Sequence, residues 1–146
     1  MVGVDWTNKV ALASVLALGL LAATPARTAT NPDLPPIIAR GAVAYMSGGI
    51  SPGQESAMQQ EATAYPLELR FLESGRAYGG PAYVPVKIRS HSGQVVLDSS
   101  SDGPLMLAKL PDGQYSVSAR YGGETEVLRA DVNHGEHCTL VFDWKG

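Results

Sequence analysis

Five consecutive residues, His134-Gly135-Glu136-His137-Cys138, form the densest group of chemically active side chains in the sequence. Imidazole, carboxylate and thiolate groups are all metal ligands, and a turn that holds them together can bind one ion. However, the spacing matches no established metal site, and the strand pattern that follows turns Cys138 inward while His137 points outward. We therefore expect a turn with incidental histidines. Metal binding or enzymatic activity through His134 and His137 remains the alternative.

The remaining sequence contains no pattern that predicts catalysis. The Gly-x-Ser-x-Gly motif of nucleophilic hydrolases does not occur, and the third histidine, His91, falls in a predicted turn. Glu124 and Glu126 lie on one face of a predicted strand, whereas the paired acids of a glycoside hydrolase face each other across a cleft. We predict a protein that is not an enzyme, with no catalytic, cofactor-binding or metal-binding residues.

Cys138 is the only cysteine, so the chain cannot form an internal disulfide. A free cysteine that faces a protein core behaves as a small apolar residue. The alternation of side chains in the last predicted strand places Cys138 on its apolar face, and we expect a buried, inert thiol. The members of that face are Cys138, Leu140, Phe142 and Trp144.

Residues 1–26 predict a cleavable secretory signal peptide. Lys9 precedes an uncharged apolar run over residues 10–23, which is shorter than the about 20 residues of a membrane span but typical of a signal-peptide core. Cleavage after Ala26 is preferred to cleavage after Ala29, because the latter places Arg27 at a position that favours small residues. We expect an exported protein with no membrane span after cleavage, and an uncleaved anchor is the alternative.

The mature chain of about 120 residues fits one domain with one hydrophobic core. Its formal net charge is −3 with both signs scattered, which predicts no basic face for nucleic acid. Residues 27–44 contain a proline-rich stretch at 31–36, and dense prolines exclude helix and sheet interiors. We expect an extended lead-in over this segment.

Residues 45–65 predict a sharp bend at Gly48-Gly49 and then one short helix. The start of the helix shows three signals, which are Ser51 as the cap, Pro52 at the first position and Gln54 at capping-box spacing. Its apolar residues form one thin stripe, namely Met58, Ala62 and Tyr65. We expect this helix to lie on the edge of a β-sandwich.

From residue 66 to residue 146 the hydrophobic period changes to two. Short alternating segments are separated by turn signals such as Pro111-Asp112-Gly113 and Gly122-Gly123, spaced roughly every eight to twelve residues. This pattern predicts an all-β domain with seven antiparallel strands, arranged as a sandwich.

Two segments of the predicted sandwich resemble a known family. Residues 103–117 contain Leu110-Pro111-Asp112-Gly113-Gln114-Tyr115 and resemble the G-x-x-x-x-x-x-L-P-x-G-x-Y-x-V motif of carboxypeptidase regulatory-like domains. Residues 84–88 and 93–96 resemble the V-x-V-x-I and G-x-V hairpin of the same domains. The likeness covers about residues 66–144, and other transthyretin-like domains share the motif.

The resemblance implies a transthyretin-like or immunoglobulin-like sandwich fold and an exported compartment. Residues 45–50 and the helix are similar to the N-terminal part of a group of small bacterial periplasmic proteins that contain this domain. The family implies a periplasmic or secreted location and an accessory domain without catalytic residues.

We therefore expect a binding or assembly module whose partner is an envelope protein or a carbohydrate. The expected binding surface is an exposed sheet edge or residues 45–65, and a purely structural spacer is the alternative.

Overall fold

The computed structural model describes residues 31–74 and 80–145 of the chain. The predicted signal peptide and the cleavage position at Ala26 or Ala29 lie outside these residues. Within the described ranges, none of the helices has the length and apolar character of a membrane span.

The described residues form nine strands, one α-helix and one 3₁₀ turn. The helix α1 (Pro52–Glu61) continues directly into the 3₁₀ turn at Ala62–Ala64. The strands are β1 (Ile38–Arg40), β2 (Val43–Gly48), β3 (Leu67–Ser74), β4 (Val84–Ser90), β5 (Val95–Ser101), β6 (Leu105–Lys109), β7 (Gly113–Tyr121), β8 (Glu124–Val132) and β9 (Cys138–Lys145).

The prediction of seven strands was wrong, because β1 and β2 precede the helix and join the seven that follow it. The sequence predicted an extended lead-in and a bend in this region. The dense prolines end at Pro36. From β1 onward the backbone therefore keeps its N–H groups, and β1 pairs with β2 while β2 also pairs with β6.

The strands form a five-stranded sheet in the order β1-β2-β6-β3-β9 and a four-stranded sheet in the order β5-β4-β7-β8. Every pair is antiparallel except β3 and β9, in which Leu67 lies beside Cys138 and Phe71 beside Phe142. This parallel pair corrects the wholly antiparallel prediction. β9 follows β8 of the other sheet, so no hairpin connects it to β3, and its direction is not restricted to antiparallel.

The two sheets share one hydrophobic core in a sandwich-like arrangement. Phe71, Phe142 and Trp144 pack together in this core, with ring centroids between 5.6 and 6.1 Å apart. The hydroxyl groups of Tyr45 on β2 and Ser99 on β5 form a hydrogen bond of 2.6 Å that joins the two sheets. Tyr45 is therefore part of the core rather than of a binding surface.

The start of α1 confirms the sequence prediction, with one change of partner. The Ser51 hydroxyl accepts a hydrogen bond of 3.2 Å from the Gln54 backbone N–H, and Pro52 occupies the first turn. The Gln54 side chain does not bond back to Ser51 as in a capping box. Its Oε1 accepts a hydrogen bond of 2.8 Å from the backbone N–H of Gly49, whose φ of +91° forms the predicted bend.

The helix lies on the face of the five-stranded sheet and not on the edge of the sandwich. Met58 is completely buried in a second hydrophobic cluster between α1 and the outer face of this sheet. The helix is placed there because β2 and β6 carry apolar side chains on both faces, and the outer ones also need cover. The other buried members of this second cluster are Met46, Ala62, Tyr65, Leu105 and Leu107.

Substitution of Met58 tests this packing. Met58→Ala removes a buried side chain between the helix and the sheet, and we expect it to lower the free energy of unfolding by about 2–5 kcal/mol. Gln60→Ala, on the exposed side of the same helix, is the matched control and should change stability by no more than about 0.5 kcal/mol. Urea denaturation measures both values, and equal losses would contradict the described position of the helix.

Candidate functional site

The turn between β8 and β9 does not gather its histidines around a common point. His134 lines a cleft, while His137 contacts the outer face of the five-stranded sheet. Among the residues of 31–74 and 80–145, no three His, Cys, Asp or Glu side chains converge in the way that a metal site requires.

Both ring nitrogens of His137 face hydrogen-bond acceptors. Nδ1 lies 2.7 Å from the carbonyl oxygen of Tyr65, and Nε2 lies 2.8 Å from Oε2 of Glu68. A carbonyl oxygen only accepts, so Nδ1 donates, and an ionised carboxylate requires Nε2 to donate as well. Both ring nitrogens are therefore engaged by contacts within the fold. Neither nitrogen is then left to bind a metal or to activate a nucleophile.

Glu68 is the buried acid of this cluster, with only 3% of its surface exposed on the outer face of β3. Burial by itself raises the pKa of the carboxyl group, but hydrogen bonds from Arg70 and His137 outweigh it, and the pKa lies below its ordinary value. The Arg70 Nε lies 2.7 Å from Oε1, and the Thr139 hydroxyl donates to Oε2 over 3.5 Å. Both carboxylate oxygens therefore have donors.

This cluster holds the β8–β9 turn against β3. His137 bridges the backbone before β3 and a side chain on it, and the next residue, Cys138, donates its backbone N–H to the Pro66 carbonyl over 2.8 Å. The Cys138 side chain faces the core as predicted, although it is half-buried rather than fully buried. The geometry is that of a structural ion pair and positions the start of β9.

A cleft of about 450 Å³ opens beside this cluster, at the end of β6 and the β8–β9 turn. The Lys109 ammonium group lies 4.9 Å from the centre of the Tyr65 ring, a cation–π contact. Burial, together with the negative charge of Glu61, raises the pKa of the Tyr65 hydroxyl. Asp112 and Glu136 add two negative charges to a lining that also contains the positive Lys109. The cleft is therefore not lined by charges of a single sign.

The free edge of β9 is the second candidate. Among the described residues, β9 pairs only with β3 and ends the five-stranded sheet. The N–H of Cys138 points toward β3. Backbone groups alternate along a strand, so those of Thr139, Val141 and Asp143 point toward the open edge. Val141 and the neighbouring Leu72 on β3 are each 45% exposed on the outer face of the sheet.

The sequence comparisons do not assign a family. No protein-family model matches the chain, and a search of curated proteins finds no similar sequence. The likeness to carboxypeptidase regulatory-like domains therefore rests on the motifs of the sequence.

The two histidines of the turn should differ in their effect on stability. His137→Ala removes the donor to the Tyr65 carbonyl and leaves Oε2 of the buried Glu68 with only the long contact from Thr139, and we expect a loss of about 1–3 kcal/mol in the free energy of unfolding. His134→Ala, the matched control in the same turn, should cost no more than about 0.5 kcal/mol. Denaturation at neutral pH measures both, and a larger loss for His134→Ala would contradict the assigned roles.

Glu68 should also make the stability of the protein depend on acid pH. Because its pKa is lowered from 4.5 in the folded state, its contribution is fully present above about pH 4.5 and is lost as the pH falls through the folded value. We expect Glu68→Gln to lose this part of the pH dependence. Unfolding free energies measured from pH 7 to pH 3 test it, with the exposed Glu124→Gln as the control. Identical slopes for the two variants would contradict the prediction.

Proposed function

We propose that this chain is a non-catalytic exported protein of the bacterial periplasm. In this proposal its β domain is of the carboxypeptidase regulatory-like, transthyretin-like type and acts as a binding or assembly module. The observation that carries the proposal is the edge of β9, whose outward backbone groups pair with no strand of residues 31–74 or 80–145 and lie beside exposed apolar side chains.

The roles of the motif residues support the domain type. Tyr115, the tyrosine of the L-P-x-G-x-Y motif, donates a hydrogen bond of 2.6 Å from its hydroxyl to the carbonyl of Pro111. This bond closes the turn before β7 in the manner of a tyrosine corner, and Leu110 is buried in the core. The motif thus has a structural reason, because each of its large residues stabilises the same turn.

The contacts of His137 support a role other than catalysis. A general base needs one ring nitrogen free to accept a proton from a nucleophile or a water molecule. The two nitrogens of His137 already face Tyr65 and Glu68, and the hydroxyl of Thr139 donates to the same carboxylate. Of the two histidines on which the enzymatic alternative depends, His137 is therefore used by the fold, and His134 lines the cleft.

Strand addition is the binding mode that fits the open edge. An extended segment of a partner protein would form main-chain hydrogen bonds with the edge-facing groups of Thr139, Val141 and Asp143. Alternate side chains of that segment would meet Val141 and, beside it, Leu72 on the outer face. The partner in this proposal is an extended segment of another envelope protein. Residues 45–65 are packed on the sheet through β2 and the helix cluster, so this proposal takes the β9 edge rather than that segment as the binding surface.

A proline at position 141 tests this mode. The N–H of Val141 points away from β3, so Val141→Pro removes a donor at the edge without removing a bond of the β3–β9 pair. We expect the variant to fold, as judged by circular dichroism, and to lose its partner in cells. The readout is photo-crosslinking from position 143 followed by mass spectrometry.

Val141→Thr is the matched control, because it retains both the N–H group and the β-branched shape. It should capture the same partner as the unmodified chain. Capture by Val141→Pro at an equal level, or no capture above an unrelated exported protein, would refute strand addition at β9.

A further inference from the structure

The outer face of the four-stranded sheet carries a row of cationic and small polar side chains. Arg89 on β4 and Arg129 on β8 lie directly opposite Ser116 on the central strand β7. One row further along β7, Lys87 lies opposite Ser118. Because serine is shorter than arginine or lysine, this face is lower along β7 than at these cations. On the β8 side, the exposed Val127 lies opposite Ser118 and adds one apolar side chain to the face.

Two depressions follow β7 along this face. One, of about 560 Å³, is lined by Gln114, Ser116 and Arg129, and the other, of about 320 Å³, by Lys87, Ser118 and Arg120 among others. From Gln114 to Arg120 the strand spans about 20 Å. The two depressions share no lining residue, and Arg89 lines the second one while Arg129 lines the first. We call this row of two depressions the groove, and its length along β7 is enough for several units of an extended polymer.

The charges of this groove are mainly positive, although the chain as a whole has a formal net charge of −3. Arg120 and Arg129 form no ion pair within the described part of the chain, and the Arg89 guanidinium reaches only the Gly93 carbonyl, over 3.4 Å. Lys87 lies 3.8 Å from Asp98, an exposed pair that neutralises little. Asp131 adds a second negative charge at one end. The groove therefore attracts anions.

The groove can hold a ligand only through side chains. The backbone groups of β7 are paired with β4 on one side and with β8 on the other, so no main-chain donors remain for an added peptide strand. Guanidinium groups bind carboxylates through two parallel hydrogen bonds, and serine and glutamine side chains bind hydroxyl groups. Neither Ser116 nor Gln114 makes a side-chain hydrogen bond with another described residue, so both are available.

We propose that this face binds an acidic polysaccharide. Such a polymer carries carboxylates and hydroxyl groups along one extended chain, and this combination matches the groove. Arg89 and Arg129 hold carboxylates on either side of Ser116, while Ser116 and Gln114 bind the sugar hydroxyls. This site lies on the sheet that does not contain β9 and is independent of strand addition.

Isothermal titration calorimetry of the exported chain with polygalacturonate tests the proposal, with dextran as the neutral polymer. We expect binding of polygalacturonate that weakens with added salt, and no binding of dextran. The double variant Arg89→Gln/Arg129→Gln should weaken binding at least about tenfold, because each charge-assisted contact contributes more than a neutral one. Arg40→Gln/Lys145→Gln removes two positive charges elsewhere and should keep the affinity within about twofold.

A second variant tests whether binding depends on this site rather than on the number of positive charges or on folding. Ser116→Asp keeps all four cations but places a negative charge between Arg89 and Arg129, and it should also weaken binding at least about tenfold. Val141→Pro should bind polygalacturonate normally. Equal affinity of Arg89→Gln/Arg129→Gln and Arg40→Gln/Lys145→Gln for polygalacturonate would overturn the proposal. So would a failure to bind, or stronger binding to polyglutamate or to anionic phospholipid vesicles than to polygalacturonate.

Discussion

The burial of β2 and β6 on both faces is the constraint on which the rest of the structure depends. Their inner side chains join the core between the sheets, and their outer side chains form a second cluster that needs its own cover. Helix α1 provides that cover, which fixes residues 45–65 as part of the fold. The helix covers only this part of the sheet, so Leu72 and Val141 remain partly exposed on the outer face of β3 and β9.

Beyond the end of the helix, charged and hydrogen-bonded side chains, rather than apolar ones, cover the outer face of the sheet. Glu68 is buried on the outer face of β3, and a buried carboxylate persists only with good partners. Arg70 and His137 supply them. Because His137 lies just before β9, the same contacts hold the start of β9 beside the start of β3. Two members of the densest chemical motif, His137 and Cys138, thus serve the fold, and within the described part of the chain β9 is left as an edge strand.

The two proposed surfaces differ in the groups they offer. The β9 edge presents main-chain donors and acceptors, which suit an extended protein segment. The outer face of the four-stranded sheet presents guanidinium and hydroxyl groups above a fully paired backbone, which suit an acidic polymer. They belong to different sheets and share no residue. If both proposals hold, one module would contact a protein and a polysaccharide at the same time without competition between them.

The sequence by itself determined the local features. The cap at Ser51, the bend at Gly49, the strands after residue 66 and the inward face of Cys138 were predictable, because each depends on residues that are neighbours along the chain. The tertiary structure decided the addition of β1 and β2, the parallel β3–β9 pair and the row of Arg89, Ser116 and Arg129. Glu68 was not foreseen, since its alternating position indicates an exposed face. His137 contacts Glu68 and Tyr65, which are 69 and 72 residues away along the chain, and no local pattern encodes partners at those distances.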